Sequence, residues 1–342
     1  MSSVTCQTSP SMDINSTFKI HVVGHEWAID LLQRQQAAGR VPQALLLTGP
    51  PNVGKSTLAR FLAQRLNCQE TPQPCGRCAS CRKIISGNHP DVRIFDSDDQ
   101  AIKIDEIRNL QRELSLSPHE GQYRVVVLSN FERATLSAAN ALLKTLEEPA
   151  SQVVLVLTAT DPGALLPTIV SRCQILKLRP LSTQSIVEAL QSHWQALPDQ
   201  AELLAQLAAG RLGWAVRALE DQELLVRRER HLQELLALLG AGRVERLAYA
   251  QQLSRDLATL KEVLTLWLTV WRDLLLLQSG AAQIKIVNLD WQDRLQTMAH
   301  HSSLAQAKEM IARLRTALIN LERNVNPRLN LEVLLLKLPS NR

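Results

Sequence analysis

The spacing of hydrophobic positions changes near residue 180. Before that point, short apolar runs alternate with helical patterns, and helices between strands are typical of a mostly parallel sheet that is covered on both faces. The pattern therefore predicts an α/β domain with a nucleotide-binding layout. The predicted strands are Ala44–Thr48, Val92–Phe95, Val125–Leu128, Val153–Thr158 and Ile175–Leu178.

After Pro180 the strand-like runs nearly vanish. Leu, Ala, Gln and Arg recur there with a period near 3.6 residues, as in "AELLAQLAAG" and "HLQELLALLG", which predicts helices. Gly210 and Gly213 lie in a small helical region that ends near residue 222. Gly240 and Gly242 mark a break inside a longer helical region. The second half is predicted to be all helical.

Composition narrows the class of protein. A chain of 342 residues is long enough for two or three domains, and 45% hydrophobic with 21% charged residues is a globular balance. No apolar run approaches the roughly 20 residues of a membrane span, and residues 1–16 lack the basic start and apolar core of a signal peptide. We therefore expect a cytoplasmic protein without a membrane partner. The net charge of +5 permits contact with nucleic acid or an acidic partner without indicating either.

The stretch "GPPNVGKST" fits the phosphate-loop pattern G-x-x-x-x-G-K-[ST], with a predicted strand before it and a predicted helix after it. In such loops the backbone N–H groups and the helix N-terminus face phosphate oxygens, the lysine reaches the terminal phosphates and the serine hydroxyl reaches Mg²⁺. A glycine turn capped by Ser56 is the alternative. The predicted nucleotide-binding residues are Gly49, Pro50, Pro51, Asn52, Val53, Gly54, Lys55, Ser56 and Thr57.

Four of the six cysteines lie close together, with the spacing C-x6-C-x2-C-x2-C. Four thiolates on a Pro- and Gly-containing turn can surround Zn²⁺ tetrahedrally and leave no position for water, which predicts a structural zinc site. Buried cysteines without a ligand, or a redox C-x-x-C pair, are the alternatives. The predicted ligands are Cys68, Cys75, Cys78 and Cys81.

Several stretches together resemble the clamp-loader AAA+ family of bacterial replication. They are "GPPNVGKST", the four-cysteine insert, "GNHPDV" with "IKIDEIRNLQ", "SAANALLKTLEEP", "TIVSRCQILKLRPLS" and "NVNPRLNLEVLLLKL". The resemblance implies a flexible tail at 1–17, an AAA+ nucleotide-binding domain at 18–180 that carries the zinc insert, a helical lid at 181–222 and a helical collar for oligomerisation at 223–342.

The resemblance also implies partners. Subunits of this family form a five-membered ring of motor (gamma/tau), delta and non-motor subunits, which loads the sliding clamp onto primer–template DNA within a DNA polymerase complex. In such rings the arginine of the S-R-C motif reaches the nucleotide of the next subunit. Arg172 in "SRC" is the matching residue and is predicted to be a trans-acting arginine finger. A solvated arginine or a local ion pair is the alternative.

The chain departs from the family pattern after the third predicted strand. Where the family has D-E-A-D/E, this sequence has "SNFE", so Ser129 and Asn130 replace the carboxylates that hold the metal and activate water. Neutral side chains supply no charge to anchor a divalent ion or accept a proton. We expect ATP to be held, Mg²⁺ to be held weakly if at all, and hydrolysis to be absent or poor. Glu132 could replace the lost acids only if the turn were shifted; otherwise it is a solvated glutamate.

Smaller features leave alternatives open. The lid position where motor subunits carry a nucleotide-contacting arginine matches Gly213, and Arg211 is either a surface residue or a contact to a neighbour, as is the nearby Arg217. Thr158 and Thr160 are both candidates for the phosphate sensor, or they are packing residues. Trp267 and Trp271, on one helix face, fit a core and a subunit interface equally.

Three functions remain on the sequence alone. The favoured one is a non-motor clamp-loader subunit that binds ATP, hydrolyses it poorly and acts on its neighbour. The second is a self-sufficient ATPase motor, which the absence of acids at Ser129 and Asn130 disfavours. The third is an architectural zinc-containing subunit with a vestigial phosphate loop.

Overall fold

The computed structural model describes residues 20–96, 101–280, 286–323 and 325–339. The chain divides into two compact units, Met1–Pro180 and Leu181–Arg342. The predicted tail at 1–17 lies outside the described residues. No helix in the described ranges is both long and apolar enough to cross a membrane.

The first unit is built on a five-stranded sheet in the order β2-β3-β4-β1-β5, and every pairing in it is parallel. Side chains alternate between the two faces of each strand. Leu45 and Leu47 of β1 therefore pack with one group of helices, and Leu46 packs with the other. The strands are Ala44–Thr48 (β1), Val92–Phe95 (β2), Arg124–Leu128 (β3), Val153–Ala159 (β4) and Gln174–Lys177 (β5). The predicted α/β class is confirmed.

Six helices of the described chain accompany this sheet, with two short 3₁₀ turns at Phe131–Arg133 and Pro162–Ala164. Parallel strands bring their carboxyl ends to one edge. The loops after β1, β3 and β4 therefore leave the sheet at the same edge, where a site can be assembled from them. The helices are Glu26–Ala37 (α1), Lys55–Asn67 (α2), Ala79–Ile85 (α3), Ile104–Leu114 (α4), Leu136–Glu147 (α5) and Pro167–Val170 (α6).

The second unit is helical, as predicted. Its core surrounds Trp267 and Trp271, which are at most 1% exposed, and the Trp267 indole N–H donates to the carbonyl of His231 at 3.2 Å. Both tryptophans are thus core residues of this unit. The helices are Thr183–Trp194 (α7), Pro198–Leu207 (α8), Leu212–Glu220 (α9), Gln222–Gly240 (α10), Arg243–Leu253 (α11), Leu257–Gln278 (α12), Gln292–His301 (α13), Leu304–Glu322 (α14) and Pro327–Leu336 (α15).

Buried charges in the helical unit are satisfied within it. Arg246 donates to the carbonyl oxygens of Leu238 at 3.0 Å, Leu335 at 3.1 Å and Leu338 at 2.9 Å, at the C-terminal ends of α10 and α15. Helix C-termini carry carbonyls without intrahelical partners and partial negative charge, so they suit a cation. Asp273, which is fully buried, accepts from the backbone N–H of Asn288 at 2.8 Å.

Candidate phosphate-binding site and cysteine cluster

The predicted phosphate loop connects β1 to α2 at the carboxyl edge of the sheet. Its two glycines have positive φ, +148° at Gly49 and +110° at Gly54. A Cβ built on Gly49 would lie 2.5 Å from the Leu178 carbonyl oxygen, so only glycine fits there. Gly49 is held by hydrogen bonds of 3.2 Å from its N–H to the carbonyls of Ala159 and Thr160. The loop is thus tied to β4, the strand beside β1.

Lys55 is the first residue of α2 and is 7% exposed. Its Nζ donates to the loop's own carbonyl oxygens, Gly49 O at 2.6 Å and Pro50 O at 3.0 Å. Burial lowers the pKa of Lys55 to about 8, although the nearby charge of Glu132 raises it. A cation held only by neutral oxygens suits a ligand that brings negative charge, such as a phosphate.

His25, which precedes α1, also belongs to the loop. Its ring is 2% exposed, and Nε2 donates to the carbonyl oxygen of Val53 at 2.9 Å. The imidazole also lies 3.7 Å from the position that a Cβ on Gly54 would occupy. Sequence analysis missed this residue, because a lone histidine 28 positions before its partner carries no motif.

The end of β3 presents neutral side chains where acids were expected from the family pattern. Ser129 is buried and its Oγ donates to Asp96 Oδ1 at 2.6 Å, at the end of the adjacent strand β2. Asn130 has left-handed backbone, with φ 51°, and its N–H donates to Thr158 Oγ1 at 3.0 Å. The hydroxyl of Thr158 is therefore used to hold the end of β3.

Glu132 lies on the 3₁₀ turn that follows, and Glu132 Oε1 accepts from the Thr160 N–H at 3.1 Å. Asn130, with its left-handed backbone, directly precedes this turn, and the hydrogen bond to Thr160 holds the carboxylate at the end of β4. Glu132 is partly buried, and its Oε2 is inaccessible to solvent, so it is not the fully solvated glutamate of the simpler sequence interpretation.

Arg172 follows α6 on the surface of the α/β unit. Its Nη1 donates to the Thr168 carbonyl at 2.9 Å, and its Nη2 lies 2.5 Å from Glu147 Oε1. The two side chains of this pair are 34% and 51% exposed. An exposed pair contributes about 0–1 kcal/mol, so Arg172 can leave Glu147 for a stronger anion at little cost.

Of the residues considered for the lid, Arg211 makes contacts with its near neighbours in the sequence. Arg211 Nε donates to the Ala208 carbonyl at 2.8 Å, and its guanidinium lies 5.9 Å from the centre of the Trp214 ring. Arg217 is exposed on α9. Gly213, the position matched to the family's lid arginine, is within the first turn of α9.

The four predicted zinc ligands converge. The Sγ atoms of Cys68, Cys75, Cys78 and Cys81 all lie within 4.8 Å of one another. Backbone N–H groups donate to three of them. The N–H of Cys75 donates to Cys68 Sγ at 3.3 Å, that of Cys78 to Cys75 Sγ at 3.3 Å and that of Cys81 to Cys78 Sγ at 3.4 Å. Such N–H···S contacts favour thiolates, and four thiolate donors match the ligand preference of zinc. The donor set therefore fits a structural zinc ion.

The acidity of these thiols differs across the cluster. Burial raises the pKa of Cys81 strongly and that of Cys75 less. At Cys78 the same burial is outweighed by backbone hydrogen bonds, among them those from Gln69 and Cys81, and its pKa falls to about 7. Burial also raises the pKa of Cys173, which lies outside the cluster, to about 11. The Cys78 thiol is therefore more readily deprotonated for a metal than those of Cys75 and Cys81.

The "HPD" stretch makes buried hydrogen bonds next to the cysteine cluster. Asp91 is fully buried and its carboxylate accepts three backbone N–H groups, from His119 at 2.7 Å and from Glu120 and Gly121 at 2.8 Å. His89 Nε2 lies 3.0 Å from Ser80 Oγ on α3. The motif therefore fixes the loop before β3 and the helix that carries Cys81. No spacing rule in the sequence indicated this role.

Comparisons with known proteins indicate the family of the chain. A family model described as DNA polymerase III, delta subunit, matches residues 24–182, and one described as its C terminal matches residues 222–339. DNA polymerase III subunit delta' of Yersinia pestis is 32% identical over 295 residues, which are 84% of this chain and 86% of that protein. The chain belongs to the delta' family of DNA polymerase III subunits.

Similarity extends beyond the delta' family. Subunit tau of DNA polymerase III from Escherichia coli K12 is 35% identical over 210 residues, which are 59% of this chain but only 32% of tau. Among solved structures, a DNA polymerase III gamma subunit-related protein from Thermotoga maritima covers 91% of this chain and 99% of its own, with a TM-score of 0.47 and 17% identity. The family resemblance inferred from the motifs is confirmed for delta'. The roles of the phosphate loop and Arg172 remain predictions.

Proposed function

We propose that this chain is the non-motor subunit of a bacterial clamp loader, the assembly that places a sliding clamp on primer–template DNA. Motor (gamma/tau) and delta subunits would be its ring neighbours. Membership of the delta' family supports this role. Similarity to tau over 59% of the chain supports a shared ancestry with a motor subunit. Within this proposal, residues 181–222 act as the lid and 223–342 as the collar.

The single observation that carries the proposal is that one sheet edge combines a phosphate-loop lysine with neutral side chains in place of acids. The buried Lys55 and the two loop glycines with positive φ have the features of a phosphate-binding loop. The strand end that should supply acids instead presents Ser129 and Asn130. A site of this kind binds a nucleotide and lacks the usual groups that anchor Mg²⁺ and activate water. We therefore propose ATP binding with absent or weak hydrolysis.

We propose that the chain contributes to catalysis at the nucleotide site of its neighbour. Arg172 is partly exposed, and its contacts are the local Thr168 carbonyl and the exposed Glu147 carboxylate, so it is available to a phosphate from outside. A guanidinium beside a γ-phosphate offsets charge that develops in the transition state and contributes about 10³-fold or more. Zinc bound by the four cysteines would stabilise the insert without taking part in this chemistry.

Reconstitution tests the proposal. The purified chain should hydrolyse ATP negligibly, whereas a complex with motor subunits, delta, clamp and primed DNA should show DNA-stimulated ATPase activity. Arg172→Ala should remove the share of that activity contributed by the neighbouring site. Arg179→Ala, a matched change of an exposed arginine on the same unit, should leave it intact. Robust turnover by the chain alone would refute the non-motor role, and unchanged turnover with Arg172→Ala would refute the finger.

A second candidate is an architectural subunit with a vestigial loop. The observation in its favour is that the Lys55 ammonium already has two acceptors inside the loop. Equilibrium binding of a fluorescent ATP analogue separates the two candidates, with Lys55→Ala as the control. Binding that depends on Lys55 supports the first, and its absence supports the second.

A further inference from the structure

The turn after β3 brings an acidic group back to the edge that Ser129 and Asn130 leave neutral. Phe131 is 1% exposed and anchors the 3₁₀ turn in the core. The next residue, Glu132, then directs its carboxylate to the end of β4, where Oε1 accepts the Thr160 N–H at 3.1 Å. The orientation of this carboxylate is therefore set by backbone and core contacts.

Thr160 connects this carboxylate to the phosphate loop. Its N–H binds Glu132, while its carbonyl accepts the Gly49 N–H at 3.2 Å. Glu132 and the first glycine of the loop are thus bound to the same peptide residue. The electrostatic effect of Glu132 on Lys55 is a second sign of this proximity, since its charge raises the pKa of the ammonium against the effect of burial.

Glu132 Oε2 is buried and has no hydrogen-bond partner among the described residues. Leaving such an acceptor unsatisfied costs about 1–3 kcal/mol, and more when it is charged. A role limited to capping Thr160 would need only Oε1. An oriented anion with free lone pairs beside a phosphate-site lysine suits a hydrogen-bond donor that arrives with the ligand.

We propose that Glu132 is the acidic group of the phosphate site and that its Oε2 accepts a hydrogen bond from the water shell of Mg²⁺ bound with a nucleoside triphosphate. Mg²⁺ keeps several waters in proteins, so an outer carboxylate can hold it without direct coordination. This inference rests on the nucleotide binding proposed above. It assigns to the turn the acidic role that the strand end has lost.

Asp96 is the rival carboxylate at this edge. Its Oδ1 accepts from Ser129 Oγ at 2.6 Å and its Oδ2 accepts from Arg60 Nη2 at 3.2 Å, so both oxygens are engaged. It also ends β2, which β3 and β4 separate from β1 in the sheet. Glu132 is therefore the better placed of the two.

The test is a titration of a fluorescent ATP analogue against the full chain, once in EDTA and once in Mg²⁺. We expect Mg²⁺ to tighten binding to the wild type. Glu132→Gln should reduce that gain by about tenfold, the equivalent of one hydrogen bond to a charged group. In EDTA the variant should bind as well as the wild type or better, because a negative charge near the phosphates is gone.

Controls keep the outcomes separate. Glutamine preserves the acceptor for the Thr160 N–H, and a thermal unfolding scan checks that the Glu132→Gln variant is folded. Glu132→Asp keeps the charge but shortens the side chain by one methylene, so it should also lose part of the Mg²⁺ gain. An equal Mg²⁺ gain in wild type and Glu132→Gln overturns the inference, as does a loss found in Asp96→Asn instead. A wild type indifferent to Mg²⁺ overturns it while leaving nucleotide binding intact. No Lys55-dependent binding in either buffer overturns the proposed function itself.

Discussion

The two units of the chain differ in how the buried atoms of their ionic groups are satisfied. In the helical unit, Arg246 lies among helix-end carbonyls at 2.9–3.1 Å from three of them. In the phosphate site, Glu132 keeps one buried oxygen without a partner among the described residues, and Lys55 is held only by carbonyls of its own loop.

The difference distinguishes a structural group from a ligand-binding one. A buried polar group with full hydrogen bonding stabilises the fold, and removing it leaves its partners unsatisfied. A buried group with free capacity costs stability and is explained by what it binds. Substitutions in the first class should lower stability without changing nucleotide affinity, and substitutions in the second should do the opposite. Four experiments test this distinction, in order of decreasing expected effect.

The cysteine cluster should show the largest effect, because four thiolates held within 4.8 Å of one another repel unless a cation lies between them. We expect about one zinc per chain. With zinc at a thousandfold excess over its Kd, removal by a chelator should cost about 4 kcal/mol, a fall in Tm of roughly 10 °C. Metal analysis and thermal unfolding before and after chelation measure this.

Thiol counting supplies the control for the zinc experiment. Chelation should release four reactive thiols, and Cys173→Ala should leave that number unchanged because Cys173 lies outside the cluster. Cys75→Ala should lower the zinc content. A chain that carries no zinc as purified and shows no Tm shift with added zinc would contradict the assignment.

Lys55→Met should weaken binding of an ATP analogue by about 100-fold, since two charge-assisted hydrogen bonds to phosphate are worth roughly 3 kcal/mol. It should also stabilise the fold. The folded-state pKa of Lys55, about 8, lies below its usual 10.5, so protonation is disfavoured in the folded state. This penalty is full below pH 8 and is relieved as pH rises to about 10.5. Denaturant unfolding should therefore show a gain of about 1–3 kcal/mol at pH 7 that shrinks above pH 8.

The matched control for Lys55 is Lys308→Met, on the exposed side of α14. It should change neither nucleotide affinity nor the pH dependence of unfolding. If Lys55→Met destabilised the chain at pH 7 and left binding intact, Lys55 would be a structural group. The distinction between structural and ligand-binding groups would then not hold for the phosphate site.

Arg246→Met should lower the free energy of unfolding of the helical unit by about 2–3 kcal/mol, because it leaves helix-end carbonyls buried without a donor. Five of the six tryptophans lie after residue 190, so tryptophan fluorescence in a urea titration reports mainly on this unit. Arg243→Met, an exposed change on the same helix, is the control. A change in nucleotide affinity with unaltered unfolding would contradict the structural role.

Much of this arrangement could be predicted from the sequence, and the exceptions share a cause. The change of hydrophobic period predicted both units, and the motif predicted the loop that ends at Lys55. The contacts of His25 with the loop and of Asp91 with residues 119–121 join positions about 30 apart, and no local pattern specifies such pairs. Glu132 falls between these cases: asparagine tolerates the left-handed backbone found at Asn130, but the residue pattern did not specify the turn that follows it.

Asp91→Asn should have the smallest effect, a loss of about 1–2 kcal/mol, since an amide replaces one acceptor oxygen by a donor that faces backbone N–H groups. Burial raises the pKa of Asp91, but hydrogen bonds from residues 119–121 and Arg124 outweigh this and hold the pKa below its usual value. A carboxylate of this kind stabilises the fold above its unfolded-state pKa, and the contribution is lost as pH falls through the folded-state value. The gap between wild type and variant, measured by urea unfolding, should therefore be constant near neutral pH and close below about pH 4. Asp105→Asn, at a side chain that is 82% exposed, should show no gap at any pH. A gap that persisted into acid would mean that packing at Asp91, and not its charge, stabilises the loop before β3.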